Sequence, residues 1–190
     1  MVNDMTSERT EFNTHFALLR GINVGGRNKL LMKELVSIFN MAGCRNVQTY
    51  IQSGNVIFDA EPELAQEIPG IITESIHQGY GYNIPVVTRA ASQLNQIVES
   101  NPFLRAGAAE RELHVVFLAD LPKSKEVAAL NPDRSPPDEI RISGRELYLR
   151  CPNGLARTKF TNAYFDSTLS TTSTMRNWRT TLKLLELTGS

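Results

Sequence analysis

The sequence has few of the residues on which metal, disulfide and redox sites depend. Its 190 residues include two cysteines, Cys44 and Cys151, and three histidines. The cysteines form no CxxC pair and are too few for a disulfide framework, and neither cysteine nor histidine recurs at the i, i+4 spacing of helical metal ligands. We therefore expect no metal and no cofactor. A reducing, cytoplasmic environment fits this cysteine usage best.

The sequence also lacks a long hydrophobic run and an excess of charge. No apolar stretch approaches the roughly 20 residues that cross a bilayer, so no membrane partner is expected. Residues 1–13 have neither the apolar core nor the cleavage site of a signal peptide, and are interpreted as a flexible tail. Lysine plus arginine and aspartate plus glutamate both total 20, so no overall field draws the chain to nucleic acid.

What the sequence does contain is a globular composition with a clear order of helices and strands. Hydrophobic residues make up 41% and charged residues 21%, which is typical of a folded domain. In the first half, hydrophobic periodicity and turn residues predict the order βαββαβ. The predicted elements are a strand at His15–Leu19, a helix at 31–42, a hairpin of 47–51 and 56–58, a helix at Pro62–Tyr80, a strand at Ile84–Thr88 and a helix capped by Ser92. This order is the ferredoxin-like pattern.

The second half starts the same order again. The predicted elements are a strand at Leu113–Leu118, a helix at Ser124–Leu130, a hairpin of 139–142 and 146–149, and two helices at Lys159–Phe165 and Ser173–Leu187 that replace a final strand. The turns at Ser53-Gly54 and Ser143-Gly144 occupy the same place in both blocks, which indicates a weak internal duplication. The predicted fold is α+β, with two ferredoxin-like subdomains in tandem at 14–100 and 101–190, the second ending in helices.

Two sequence blocks make a family resemblance recognisable. Ala17–Gly26 (ALLRGINVGG) and Tyr50–Val56 (YIQSGNV) resemble the signature blocks of domain-of-unknown-function family 1697, a family of uncharacterised bacterial proteins. Further similarity lies in Asn101–Phe103, Pro152–Lys159 and Thr174–Trp178. The resemblance implies a two-subdomain α+β fold. It implies no activity.

The glycine-rich segment that follows the first strand is a candidate anion site. Glycines at such a place let backbone N–H groups approach an anion, and the candidate residues are Arg20, Asn23, Gly25 and Gly26. The segment has no GxGxxG and no Gly-Lys-Ser/Thr, so it is not a known nucleotide loop. The alternative is that the glycines only permit positive φ in a tight connection, and that Arg20 forms an ordinary salt bridge.

A second polar set comes from the first hairpin turn and the end of the chain. Ser53 and Asn55 carry groups that could orient a ligand, although Ser-Gly-Asn is also standard turn chemistry. Arg176 is predicted in the first turn of the last helix, where the macrodipole disfavours a cation by about 0.3–1 kcal/mol, so we expect an anion or an acidic partner beside it. Asn177 and Lys159 would complete a cleft at the subdomain junction.

Three functions remain open from the sequence. The first is binding of a phosphorylated or other anionic small molecule at the subdomain junction, with or without catalysis. No catalytic residue is identified, because the histidines are dispersed and Ser53 lacks a GxSxG context. The second is self-association, for example as a homodimer, through exposed sheet edges. The third is weak nucleic-acid binding, which the zero net charge disfavours.

Overall fold

Eight strands form two four-stranded antiparallel sheets in the computed structural model, which describes residues 11–189 of the chain. The first sheet has the strand order β2-β3-β1-β4 and the second the order β6-β7-β5-β8. The two orders are the same when each half is numbered from its own first strand. The mixed α+β class is therefore confirmed.

The first half has the predicted elements with small shifts. Its elements are β1 (Asn13–Leu19), α1 (Met32–Met41), β2 (Arg45–Tyr50), β3 (Asn55–Ala60), α2 (Pro62–Tyr80) and β4 (Val86–Ala90), followed by a 3₁₀ turn at Ala91–Gln93, α3 (Leu94–Glu99) and α4 (Pro102–Arg105). Pro62 at the first helical position and the left-handed Gly81 after the last explain why both ends of α2 match the prediction. The expected Ser92 cap is wrong, because Ser92 lies inside the 3₁₀ turn.

The second half repeats the strand order. Its elements are a 3₁₀ turn at Glu110–Glu112, β5 (Leu113–Leu118), α5 (Ser124–Ala128), β6 (Glu139–Ser143), β7 (Glu146–Arg150), a 3₁₀ turn at Leu155–Arg157, α6 (Asn162–Leu169), β8 (Ser173–Asn177) and α7 (Trp178–Thr188). Among the helices that the structure describes, none combines the length and the apolarity needed to cross a membrane.

The prediction for the end of the chain was wrong. Ser173–Asn177 is not helical but forms β8, the final strand, and pairs with β5 from Leu118↔Ser173 to His114↔Asn177. The apolar residues of α7 are at helical spacing, and this spacing extends back to Met175, which led to the helix prediction. Strand pairing with the fully buried β5 stabilises this segment more than its local helical pattern does. Arg176 therefore lies in a strand, and the expected conflict with a helix macrodipole does not arise.

The predicted N-terminal tail also ends earlier than expected. Asn13 is the first residue of β1, where it pairs with Ala60, and the Arg45 guanidinium lies 3.8 Å from the centroid of the Phe12 ring. Residues 1–10 of the predicted tail lie outside the described residues, as does residue 190.

A hydrophobic core between the two sheets joins the halves. In β1, Phe16 and Leu18 face this central core, while Ala17 and Leu19 face the core beneath α1 and α2. Phe16 meets Phe117 of β5 edge to face, with ring centroids 5.9 Å apart. Because side chains alternate along a strand and both faces are covered here, the buried part of β1, Phe16–Leu19, is apolar without a break. This packing brings the strand ends of each half against the turns of the other.

Candidate functional site

Two arginines at equivalent strand positions connect the halves. Arg89 is the fourth residue of β4 and Arg176 is the fourth residue of β8. Arg89 pairs with Phe16 of β1, and Arg176 pairs with Val115 of β5. Each guanidinium crosses to the hairpin turn of the opposite half. We call these two arginines and their acceptors the arginine clasp.

Arg176 uses all of its N–H donors within the protein. Its Nε donates to Asn55 Oδ1, its Nη2 to the carbonyls of Leu19 at 2.8 Å and of Ser53 and Gly54 at 3.3 Å, and its Nη1 to Thr174 Oγ1 and Met175 O at 2.9 Å each. Within residues 11–189 it has no carboxylate partner. Desolvation lowers the pKa of Arg176 to about 10. The side chain is thus held by neutral dipoles.

Arg89 repeats this arrangement with the halves exchanged. Its Nε donates to Glu146 Oε1 at 2.9 Å, its Nη2 to Leu118 O and to Arg145 O at 3.2 Å, and its Nη1 to Thr88 O at 2.8 Å. Burial lowers the pKa of Arg89, and the charge of Glu146 opposes this shift. Leu19 and Leu118, and likewise Asn55 and Glu146, therefore occupy equivalent places. The main difference is that Arg89 has a carboxylate partner where Arg176 has an amide.

Arg20 covers the free edge of β8. Its Nη1 donates to Asp166 Oδ2 and to Ser173 O, both at 2.7 Å. Asp166 Oδ1 in turn accepts from Ser173 N at 2.8 Å and from Ser173 Oγ at 2.6 Å. The salt bridge that the sequence left as an alternative for Arg20 is present. It satisfies both backbone groups of an edge residue, which keeps this edge from pairing with another strand.

The glycine-rich segment folds into a tight exposed turn. Gly25 and Gly26 both have positive φ, and Arg27 N donates to Val24 O at 3.0 Å. Asn23 holds the base of the turn, because its side chain donates to Leu30 O and accepts from Leu30 N, both at 2.9 Å. The side chain of Asn23 is therefore engaged in closing the loop.

The other predicted residues separate into two groups. Ser53 Oγ accepts from Asn55 Nδ2 at 2.8 Å, so both residues lie beside Arg176. Asn177 caps α7 by accepting from Thr180 N at 2.8 Å. Lys159 is exposed, and its contacts are backbone bonds to Ser135 Oγ and from Arg134 Nε, at 3.0 Å each. The structure thus joins Arg20, Ser53, Asn55 and Arg176 around β8, but no hydrogen bond or ion pair among residues 11–189 joins Lys159 to them. Ligand binding by this set stays a prediction.

A groove along β4 was missed by the sequence prediction. It has a volume of about 1210 Å³ and is lined by every residue of β4. Its walls come from both halves: Pro62, Ala65, Gln66 and Pro69 of α2 on one side, and Ala119, Asp120 and Arg145 on the other. Arg145 donates only to Ala119 O, at 3.4 Å, and forms no ion pair with the residues that the structure describes. Arg89, the one charged residue of β4, could have drawn attention to this strand from the sequence.

Neither cysteine is a reactive thiol. Cys44 and Cys151 are both free and buried. Desolvation raises the pKa of Cys44 to about 11 and that of Cys151 to about 12, so both stay protonated near neutral pH. Within residues 11–189, no group of three or more histidine, cysteine, aspartate or glutamate side chains is placed to hold a metal ion.

Among the glycines, Gly54 has the least room for a side chain. A Cβ at this position would lie 2.7 Å from Leu19 Cβ and 3.1 Å from Leu19 O, and the residue has a φ of +71°. We expect Gly54→Ala to lower the free energy of unfolding by about 2–4 kcal/mol, through left-handed strain and displacement of β1. The matched control is Gly144→Ala in the second hairpin, where φ is +61° and nothing lies within 4 Å. Urea denaturation of both variants tests this, and equal losses would contradict a steric role for Gly54.

The comparisons with known proteins identify a family and a fold. The model of the family described as "Protein of unknown function (DUF1697)" matches residues 12–148, more than half of the chain. The conserved bacterial protein SP0830 from Streptococcus pneumoniae is similar in structure, with a TM-score of 0.68 and 20% sequence identity over 94% of this chain and 99% of that one. At this identity the similarity shows the fold alone. No curated protein matches the chain significantly.

Proposed function

Because the chain belongs to the DUF1697 family, whose description carries no activity, we propose a function from its own geometry: it binds a small anionic ligand in the groove along β4. The observation that carries this proposal is the unpaired Arg145 in a groove of about 1210 Å³ with walls from both halves. Ligand sites form preferentially at such junctions, where a few polar groups fix the orientation of the ligand.

The polar lining of the groove supports an anionic or strongly polar ligand. Arg145 has guanidinium donors that no described residue engages, and a guanidinium can bind a carboxylate or phosphate in bidentate fashion. Gln66 and Gln93 add side-chain amide groups to the lining of the same groove, as does the hydroxyl of Thr14, which donates to Asp59 Oδ1. The groove is a stronger candidate than the set around β8, because the donors of Arg176 and the side chain of Asn23 are already engaged within the protein.

We also propose that the groove lies between two ferredoxin-like subdomains, residues 14–100 and 101–190. The order βαββαβ in each half supports this, as do the matching strand orders. The clasp supports it further, because equivalent atoms of Arg89 and Arg176 bond to equivalent places in the opposite half.

Substitution of Arg145 tests the proposed ligand site. We expect at least one of inorganic phosphate, glutarate, glucose 6-phosphate and AMP to raise the Tm of the wild type. The Arg145→Gln variant should lose most of this shift, because the removed charge-assisted bonds contribute about 1.5–3 kcal/mol. Arg157→Gln is the matched control, since Arg157 is exposed and lies outside the groove lining. The proposal fails if none of these anions stabilises the wild type, or if both variants retain the shift.

A further inference from the structure

The hydrogen-bond register of β4 shows which of its backbone groups point into the groove. Arg20 N donates to Pro85 O at 3.0 Å, so this opposed pair belongs to the hydrogen-bonded set of the β1–β4 ladder. In an antiparallel ladder such pairs alternate with pairs whose N–H and C=O groups point away. The backbone groups of Val86 and Thr88 therefore face outward, away from β1. The Nη1 of Arg89 occupies Thr88 O at 2.8 Å.

The two sheet edges differ in how these outward groups are satisfied. Val86 lies opposite Leu19 in the first sheet, as Ser173 lies opposite Leu118 in the second. Asp166 and Arg20 bind both backbone groups of Ser173. No hydrogen bond within residues 11–189 reaches the outward N–H and C=O of Val86, although the residue is only 5% exposed. The described residues supply no partner for these two groups, which are therefore open to bond with a molecule in the groove.

We propose that an extended peptide segment carrying a carboxylate pairs with the outward edge of β4. Its main chain exchanges hydrogen bonds with the N–H and C=O of Val86 and accepts one from the N–H of Thr88, whose carbonyl is engaged by Arg89. Its carboxylate binds Arg145 on the groove wall. The five residues of β4 offer an edge of about 17 Å at roughly 3.3 Å per residue, which a short peptide can follow. This inference rests on the proposed function and names the class of its ligand.

The shape of the groove favours a single segment over a second copy of the chain. The edge of β4 is recessed between α2 on one side and Asp120 and Arg145 on the other. A second copy would bring its own β4 between identical walls, so the two walls would meet before the edges did. A lone extended chain needs only about 5 Å in the hydrogen-bonding direction. The unpaired charge of Arg145 complements a carboxylate on that chain.

Affinity selection from a soluble random heptapeptide library with free carboxyl termini tests the proposal on the full chain. We expect the selected peptides to slow hydrogen exchange of the Val86 and Thr88 amides at least about tenfold. N-methylation of alternate peptide residues should weaken binding about five- to tenfold, as expected for the loss of one or two main-chain hydrogen bonds. Thr88→Pro should have a similar effect, because it removes an outward N–H that the ladder does not use. Thr88→Val, which keeps that N–H, is the control.

Three outcomes would overturn the peptide proposal. The first is that the selection recovers no peptide, and the second is that the selected peptides leave the hydrogen exchange of the Val86 and Thr88 amides unchanged. The third is that these amides become protected without peptide as the protein concentration rises, together with a dimer in light scattering. The N-methylated peptides keep the test valid if Thr88→Pro does not fold. The Arg145-dependent Tm shift with small anions separates the two proposals. If small anions raise the Tm through Arg145 but no peptide binds, the groove is a ligand site and only the proposed peptide ligand is wrong. If neither the Tm shift nor peptide binding is observed, the groove is not a ligand site.

Discussion

Replacement of Arg89 by methionine is expected to lower the free energy of unfolding by about 3–5 kcal/mol. Methionine keeps most of the side-chain volume, so the loss reports on the guanidinium. Glu146, whose side chain is only 15% exposed, would remain as an unpaired carboxylate in a poorly solvated place. Leu118 O would also lose its bond from Arg89. Both effects destabilise the folded chain, because buried polar groups without partners keep their desolvation penalty.

Urea denaturation measures this loss as a lower midpoint with an unchanged slope. Arg157→Met serves as the control, because Arg157 is exposed, and its effect should stay within about 0.5 kcal/mol. The double variant Arg89→Met, Glu146→Gln should recover about 1 kcal/mol or more, since it removes the uncompensated charge. A loss below about 1 kcal/mol in Arg89→Met would contradict a structural role for the buried pair.

Replacement of Arg176 by methionine should cost about 2–4 kcal/mol for a different reason. No carboxylate is left behind, but Asn55 Oδ1 and Leu19 O each lose a charge-assisted donor, at about 1–3 kcal/mol for each buried group. Arg176→Lys should recover less than half of this loss, because an ammonium cannot reproduce the planar spread of donors across three backbone carbonyls. Arg179→Met, three residues further along and exposed, is the matched control.

Trp178 provides the readout for the Arg176 variants. It is the only tryptophan of the chain, is 1% exposed and lies in the core between the two sheets. Its fluorescence during denaturation therefore reports directly on the junction. If Arg176→Met unfolds at the wild-type midpoint, the clasp does not stabilise the junction on the β8 side.

Local signals in the sequence were sufficient for much of the fold. Both ends of α2 and of β5 agree with the prediction, as do the two hairpins within one or two residues at each end. These elements begin or end at proline, glycine or turn residues, whose backbone preferences act over a few positions. The match of the DUF1697 model to residues 12–148 confirms the family resemblance that the two N-terminal blocks indicated.

The candidate site was much less predictable. Arg20, Ser53, Asn55 and Arg176 were chosen as polar residues near turns, and they do lie together around β8. Whether their donors are free or engaged depends on partners as far as 157 residues away, as for Arg176 and Leu19. Arg89 could have been found by aligning the two halves strand by strand, because it occupies in β4 the position of Arg176 in β8. Arg145 could not, because its equivalent in the first half is Gly54.

By itself the sequence determined the order of most elements, the repeated hairpin and the family, because these follow from periodicity and from turn chemistry over short distances. Only the tertiary structure decided that residues 173–177 form a strand, since the buried β5 supplies the partner that local spacing cannot show. The tertiary structure also decided which polar groups have hydrogen-bond partners within the protein. At one edge Arg20 and Asp166 engage the backbone of Ser173, while at the other Val86 faces a groove beside Arg145. Long-range packing places those partners, so composition and motif could not have distinguished the two edges.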